Sequence, residues 1–221
     1  MSTLEIRYVW EWPVRLTHWF NVISIIALSV TGYYIGDPFV SVPSSSSYVM
    51  GWMRYLHFIF AYLFAVSMLA RIVWMFIGNK HARFKAFAPW ASADGWKGII
   101  GTFCYYTFLR AKPPFAVGHN PLAVMAYSGV FVLFVVQIVS GFALYGQFEP
   151  GGTWDGIFGP LLVMFGSQGM RLTHHVIMWL LIGFAIHHVY SAWLMEIKEK
   201  NGTMGSIFSG YKFIDTEEEN D

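Results

Sequence analysis

Histidine is the residue whose number and placement in this chain could do chemistry. Eight are present, and six of them, His18, His57, His174, His175, His187 and His188, lie in or at the ends of long apolar runs. Neutral imidazole binds metals and carries protons near neutral pH, and an ionisable side chain at membrane depth is a functional candidate by default. Four of the six fall in one stretch, "RLTHHVIMWLLIGFAIHHVY" at 171–190. The tetrapeptide "RLTH" occurs at 15–18 and again at 171–174, with the variant "RYLH" at 54–57.

Helical phase separates the four neighbours. At about 100° per residue, His174 and His188 fall within roughly 40° of one stripe and about 21 Å apart along the axis. His175 and His187 diverge by about 120°, and the crossed pairs by about 220°. Only His174 and His188 put two imidazoles on one face near opposite ends of a span. A lone histidine at a helix end usually anchors at the interface, so His175 and His187 are expected to serve as interfacial or hydrogen-bonding side chains.

The elements that must hold these rings follow from composition. The chain is 56% hydrophobic and 12% charged, about half the charge of a soluble domain. A net charge of +1 suggests no nucleic-acid partner. The single cysteine, Cys104, excludes an internal disulfide, a CxxC metal site and the CxxCH attachment of c-type haem. The first 20 residues lack the basic start, apolar core and small-residue cleavage site of a signal peptide. Apolar runs of the roughly 20 residues needed to span a bilayer occur at about 16–35, 56–77, 122–145 and 172–195. Between them lie "GDPFVSVPSSSSYVMG", a polar loop over 78–121 and "GQFEPGGTWDGIFGP"; "LLVMF" at 161–165 is too short to span and is expected at the interface. The expectation is an all-α integral membrane fold, one four-helix bundle over 1–215 followed by a disordered acidic tail, 216–221. Gly129, Ser140, Gly141 and Gly183 are small enough to let helices approach closely.

Charge gives the orientation. Eleven of the 14 Lys and Arg fall in the two terminal segments and the second loop, Arg54 and Arg171 fall on the other side, and Arg71 lies within the second span. Both termini are therefore expected in the cytoplasm. That topology puts His57 and His174 at the outer level and His18 and His188 at the inner one. Two imidazole pairs at matching depths in an apolar bundle suit two non-covalent b-type haems with bis-histidine ligation. A zinc site would need four ligands at one depth. Each "RLTH" arginine stands near its histidine on the helix surface, so Arg54 and Arg171 are candidates for outer haem propionates, and Arg15 and Arg71 for inner ones. Snorkelling to headgroups is an equal alternative for Arg15, Arg54 and Arg171.

Several motifs occurring together, "YVWEWPVRLTHW", "TGYYIGDP", "RYLHF", "GNKHARF", "GHNP", "SGFALY" and "HHVY", resemble the cytochrome b subunit of membrane-bound nickel–iron hydrogenases, within the wider formate dehydrogenase cytochrome b-like group. The resemblance covers about residues 8–211. It implies a multi-pass protein of the prokaryotic inner membrane with four helices and two haems, anchoring a periplasmic hydrogenase of small and large subunits. Electrons would pass from the iron–sulfur small subunit to quinone, while hydrogen activation stays in the partner. Its ligand pattern falls on His18, His57, His174 and His188, the same four that phase and depth select. The wider group also implies a quinone near the inner haem, beside Asn120 and His188. His119 is a candidate proton relay from the cytoplasm to reduced quinone, although a loop histidine is more often merely solvated. Asn120-Pro121 reads equally as a helix N-cap followed by proline at the first helical position. Competing readings are a formate dehydrogenase or thiosulfate reductase cytochrome subunit, a metal transporter with a histidine relay, and a passive anchor with degenerate haem sites.

Overall fold

The computed structural model describes residues 4–39, 48–111, 114 and 117–215. In chain order these form β1 (Leu4–Tyr8), α1 (Trp12–Gly36), α2 (Val49–Ile77), α3 (Phe84–Phe87), a 3-10 turn (Pro89–Ala91), α4 (Ala93–Tyr106), α5 (Pro121–Gly146), α6 (Thr153–Phe165), α7 (Ser167–Glu199), α8 (Thr203–Ser209) and β2 (Tyr211–Asp215). Helices α1, α2, α5 and α7 are the four long and apolar enough to cross a membrane. They outrun the apolar stretches, most of all at the starts of α2 and α7. An apolar run marks only the part that faces lipid, whereas backbone hydrogen bonding continues into the interface.

The expected polar loop over 78–121 contains a 14-residue helix, α4. Its start is set locally: Ser92 accepts from the Gly95 N–H, and Asp94 lies in the first turn, where an acidic side chain complements the helix dipole. "LLVMF" ends α6, with Val163, Met164 and Phe165 exposed. The acidic tail 216–221 and the serine run 44–47 lie outside the described residues.

The chain forms two compact units. One comprises Thr17–Ala70 and Leu133–Ala185. In it α1 turns Thr17, Ser24 and Thr31, seven residues apart, to the inside, each no more than 6% exposed. Ser67 donates to the Thr17 carbonyl at 3.2 Å, tying α2 to α1. Phe64 meets Phe134 edge-on at 5.1 Å, and Trp154 of α6 stacks on Phe142 of α5 at 4.5 Å.

The other unit comprises Met1–Leu16, Arg71–Val132 and Ile186–Asp221. Its strands pair antiparallel, Leu4 opposite Asp215 and Tyr8 opposite Tyr211. Val9, Trp10, Val14 and Ala82 form a small apolar core. Polar ties close around it. The Glu11 carboxylate accepts from the Trp74 indole at 2.8 Å and from the Asn79 backbone at 2.7 Å. Asn79 donates to the Val9 carbonyl, the Trp10 indole to Ser206, and Arg15 to the Phe208 carbonyl.

Candidate functional site

His57 on α2 and His174 on α7 face one cavity of about 580 Å³, within the range of small-molecule and cofactor sites. Their ring centroids stand 6.5 Å apart. Imidazole nitrogens bind metals at about 2.0–2.1 Å, so two rings on opposite sides of one metal have centroids roughly 6 Å apart. The walls are largely apolar, including Leu28, Phe58, Phe142 and Met178. Arg54 and Arg171 line the cavity and are otherwise exposed. Arg54 also lies over the Phe148 ring at 5.7 Å.

Two hydroxyls set the chemistry of the rings. Thr31 on α1 lies 2.9 Å from His57 Nδ1 and donates its own proton to the Ala27 carbonyl at 2.7 Å. Ser140 on α5 lies 2.9 Å from His174 Nδ1 and donates to the Gln137 carbonyl at 3.1 Å. A hydroxyl has one proton to give, so each accepts from Nδ1–H and leaves Nε2 with its lone pair. Gln137 Nε2 lies 3.2 Å from His174 Nε2 and donates to it, in the same sense.

A glycine follows each hydroxyl. A Cβ on Gly32 would come within 3.1 Å of His57 Cε1, and one on Gly141 within 3.1 Å of His174 Cε1. The "TG" of "TGYYIGDP" and the "SG" of "SGFALY" are therefore one device used twice: a hydrogen bond to a ring, then room for that ring. The role expected of Gly141 in helix approach gives way to this one. A Cβ on Gly129 or Gly183 would meet nothing within 4 Å, so neither marks a close helix contact among the described residues. Thr31, Gly32 and the hydroxyl role of Ser140 escaped the sequence reading, which weighed polar residues in the spans only when they were ionisable.

His175 also lines this cavity, although its phase suggested a bystander. Its Nδ1 donates to the Arg171 carbonyl at 2.9 Å, and its Nε2 would lie 2.6 Å from a Cβ on Gly36. His187 is exposed, 3.3 Å from the Ser191 hydroxyl. His18 belongs to the same compact unit as the cavity without lining it, and sets its ring edge-on to Trp19 at 5.3 Å.

The second compact unit holds the remaining candidates. Tyr127 on α5 stands edge-on to His188 at 5.5 Å and to His119 at 4.7 Å, and His119 stacks on Trp10 at 4.7 Å. His119, His81 and Phe87 line a cavity of about 260 Å³. Burial first, then the charges of Lys80, Lys212 and Arg7, holds His81 below the ordinary histidine value. Burial likewise lowers Lys212, against the opposing pull of Glu199 and Glu196; its ammonium donates to the Gly118 carbonyl at 3.2 Å. The Asn120 side chain accepts from the Ala123 N–H at 2.8 Å, capping α5 ahead of Pro121. Arg71 is buried, shares the Ala82 carbonyl between its two terminal nitrogens at 3.3 Å, and lies over Phe87 at 4.9 Å.

Among the described residues no group of three or more His, Cys, Asp and Glu could hold a metal ion. The facing imidazoles of His57 and His174 in a largely apolar cavity instead fit an iron whose other ligands come from a porphyrin, with the Gln137 amide giving up His174 Nε2 to it. Four spans around such a site define a multi-pass b-type cytochrome, and the chain belongs to the prokaryotic cytochrome b561 family, which it matches over residues 9–210.

Relatives narrow the class. The chain is 39% identical to the "Probable Ni/Fe-hydrogenase B-type cytochrome subunit" of Cupriavidus necator, over 96% of this chain and 88% of that protein. It is 40% identical to the protein of that name from Bradyrhizobium diazoefficiens, over 92% and 84%. It is 35% identical to the "Probable Ni/Fe-hydrogenase 1 B-type cytochrome subunit" of Escherichia coli K12, over 93% and 90%.

Proposed function

We propose that this chain is the membrane cytochrome subunit of a nickel–iron hydrogenase, a di-haem protein that carries electrons from the enzyme's iron–sulfur small subunit to quinone. The observation that carries the reading is the facing pair His57 and His174, ring centroids 6.5 Å apart on the wall of a largely apolar cavity of about 580 Å³, where a metal would take the place of the Gln137 amide at His174 Nε2. A b haem, when bound there, supplies a one-electron couple. His57 and His174 would hold it, the apolar walls would exclude water, and Arg54 and Arg171, which line the same cavity, would offset the charge of its propionates. The second pair, His18 with His188, rests on helical phase and the family resemblance, with Arg15 and Arg71 toward its propionates.

The quinone end is proposed at the cytoplasmic level, near His188, His119 and Asn120. Capping occupies the Asn120 carbonyl and the side chain also bonds Tyr106, so a quinone oxygen would have to take the amide from the Tyr106 hydroxyl. His119, on the wall of the smaller cavity, is the proton donor in this reading. An even number of crossings puts both termini on one side, in keeping with the pairing of β1 with β2, and the basic excess assigns that side to the cytoplasm. The partner's small and large subunits then lie on the periplasmic side, and the whole of 1–215 acts as one cytochrome domain. The relatives' names support the hydrogenase partner.

A redox-titrated visible spectrum of the purified chain, with a pyridine haemochrome count, tests the proposal. Two b haems per chain and co-purification with a hydrogenase are expected. A colourless protein refutes the reading, and co-purification with a formate dehydrogenase instead moves the chain to that related complex.

A further inference from the structure

The two hydroxyls at the outer cavity do more than fill space. Thr31 Oγ1 and Ser140 Oγ each lie 2.9 Å from the Nδ1 of a different histidine. Each gives its own proton to a carbonyl one turn back on its own helix, so the Nδ1 proton is what it receives. We propose that Thr31 and Ser140 are positioning residues that lock His57 and His174 in the Nδ1–H tautomer and lower the midpoint potential of the haem between them. The inference rests on the proposed haem site.

The physical steps are short. A ring turned half-way about its axis would show Cδ2 to the hydroxyl and Cε1 to the cavity, losing both the hydrogen bond and the donor nitrogen. The hydroxyl therefore selects the one ring orientation that can ligate. Accepting the Nδ1 proton also makes the ring a stronger base at Nε2. The chain of carbonyl, hydroxyl and imidazole polarises in one direction, which strengthens each bond. A more basic ligand favours ferric over ferrous iron, so the potential falls. Gly32 and Gly141 keep both rings free to hold this pose, since a Cβ at either would press on Cε1 at 3.1 Å.

The test uses the complete chain, purified with its haems, in four variants: Thr31→Val and Ser140→Ala, which remove the acceptor, and Thr31→Ser and Ser140→Thr, which keep it. Redox titration followed optically, electron paramagnetic resonance of the ferric state and a haem count are read on each. In Thr31→Val and Ser140→Ala the ferric-to-ferrous affinity ratio of one haem should fall by about threefold to tenfold, where tenfold is about 59 mV for a one-electron couple. The other haem should keep its potential, and the two hydroxyl-retaining variants should match the parent. If Thr31→Val loses a haem that Thr31→Ser retains, the hydroxyl is needed to hold the ligand, which also supports the proposal. Two haems with unchanged potentials in Thr31→Val and Ser140→Ala would overturn it, as would equal haem loss in Thr31→Val and Thr31→Ser. A parent protein without haem refutes the underlying site instead.

Discussion

Gly141→Ala is the sharpest probe of the outer site. The added methyl carbon would sit 3.1 Å from His174 Cε1, whereas carbon atoms pack comfortably at about 3.5–4.0 Å. The ring must therefore retreat by about 0.4–0.9 Å, which disturbs its 2.9 Å contact with Ser140. Ligating geometries tolerate displacements of about 0.5 Å. Haem affinity at this site is therefore expected to fall on the order of tenfold, the lower end of the range for disturbed ligand supports. Global stability should change little, because overpacking costs about 1–3 kcal/mol while alanine gains about 1 kcal/mol over glycine in a helix. The assay is the haem-to-protein ratio of the purified chain after competition with a haem-scavenging apoprotein. Gly129→Ala, in the same helix but with nothing within 4 Å, is the control and should leave haem content unchanged. Equal haem retention in Gly141→Ala, Gly129→Ala and the parent would refute the claim that this glycine exists to make room for a ligand.

Three further outcomes follow from other contacts. Asn120→Ala removes the cap of α5 and should cost about 1 kcal/mol, read as a lower melting temperature with haem content intact; a large loss of quinone reduction beyond that would assign the amide to the quinone. His81 is held below its ordinary value, so an unfolded chain takes up a proton that the folded one resists. The stability this histidine contributes is full above about pH 6.5 and declines as pH falls below it; the protection factors of the β1 and β2 amides, after correction for intrinsic exchange, should fall in that range, and His81→Gln should flatten the dependence. If Arg71 meets a haem propionate as proposed, Arg71→Gln should shift the midpoint potential of one haem; an unchanged potential in a folded variant would leave Arg71 with only the Ala82 carbonyl and the Phe87 ring.

Much of this molecule is legible in its sequence for plain reasons. Spans announce themselves because lipid demands unbroken apolar length, and the pairing of His57 with His174, whose rings stand 6.5 Å apart, follows from helical phase and matched depth. The widths of α2 and α7 were not legible, since hydropathy stops at the interface and helical hydrogen bonding does not. Helix α4 was hidden by its glycines and charges, although Ser92 and Asp94 mark its start. His175 lines the outer cavity despite its phase, because a cavity wide enough for a large ring system is bounded by more than one stripe of a helix. Thr31 and Ser140 were invisible as partners because a hydroxyl in an apolar helix usually bonds its own backbone. Both do that here as well, and the ring they receive comes from another helix far away in sequence.

The strand pair at the chain's two ends carries a consequence for how the protein is made. β1 leaves the ribosome before all four spans and β2 after them. The two-stranded sheet therefore cannot close until all four described spans have been synthesised, and β1 must wait with its backbone donors and acceptors open to water. Closing so long a loop costs only modestly more than closing a short one, so the delay is one of synthesis order. A chain halted after its third span would keep that edge exposed. Its protection from exchange or proteolysis thus reports that β2, beyond the fourth span, has been made.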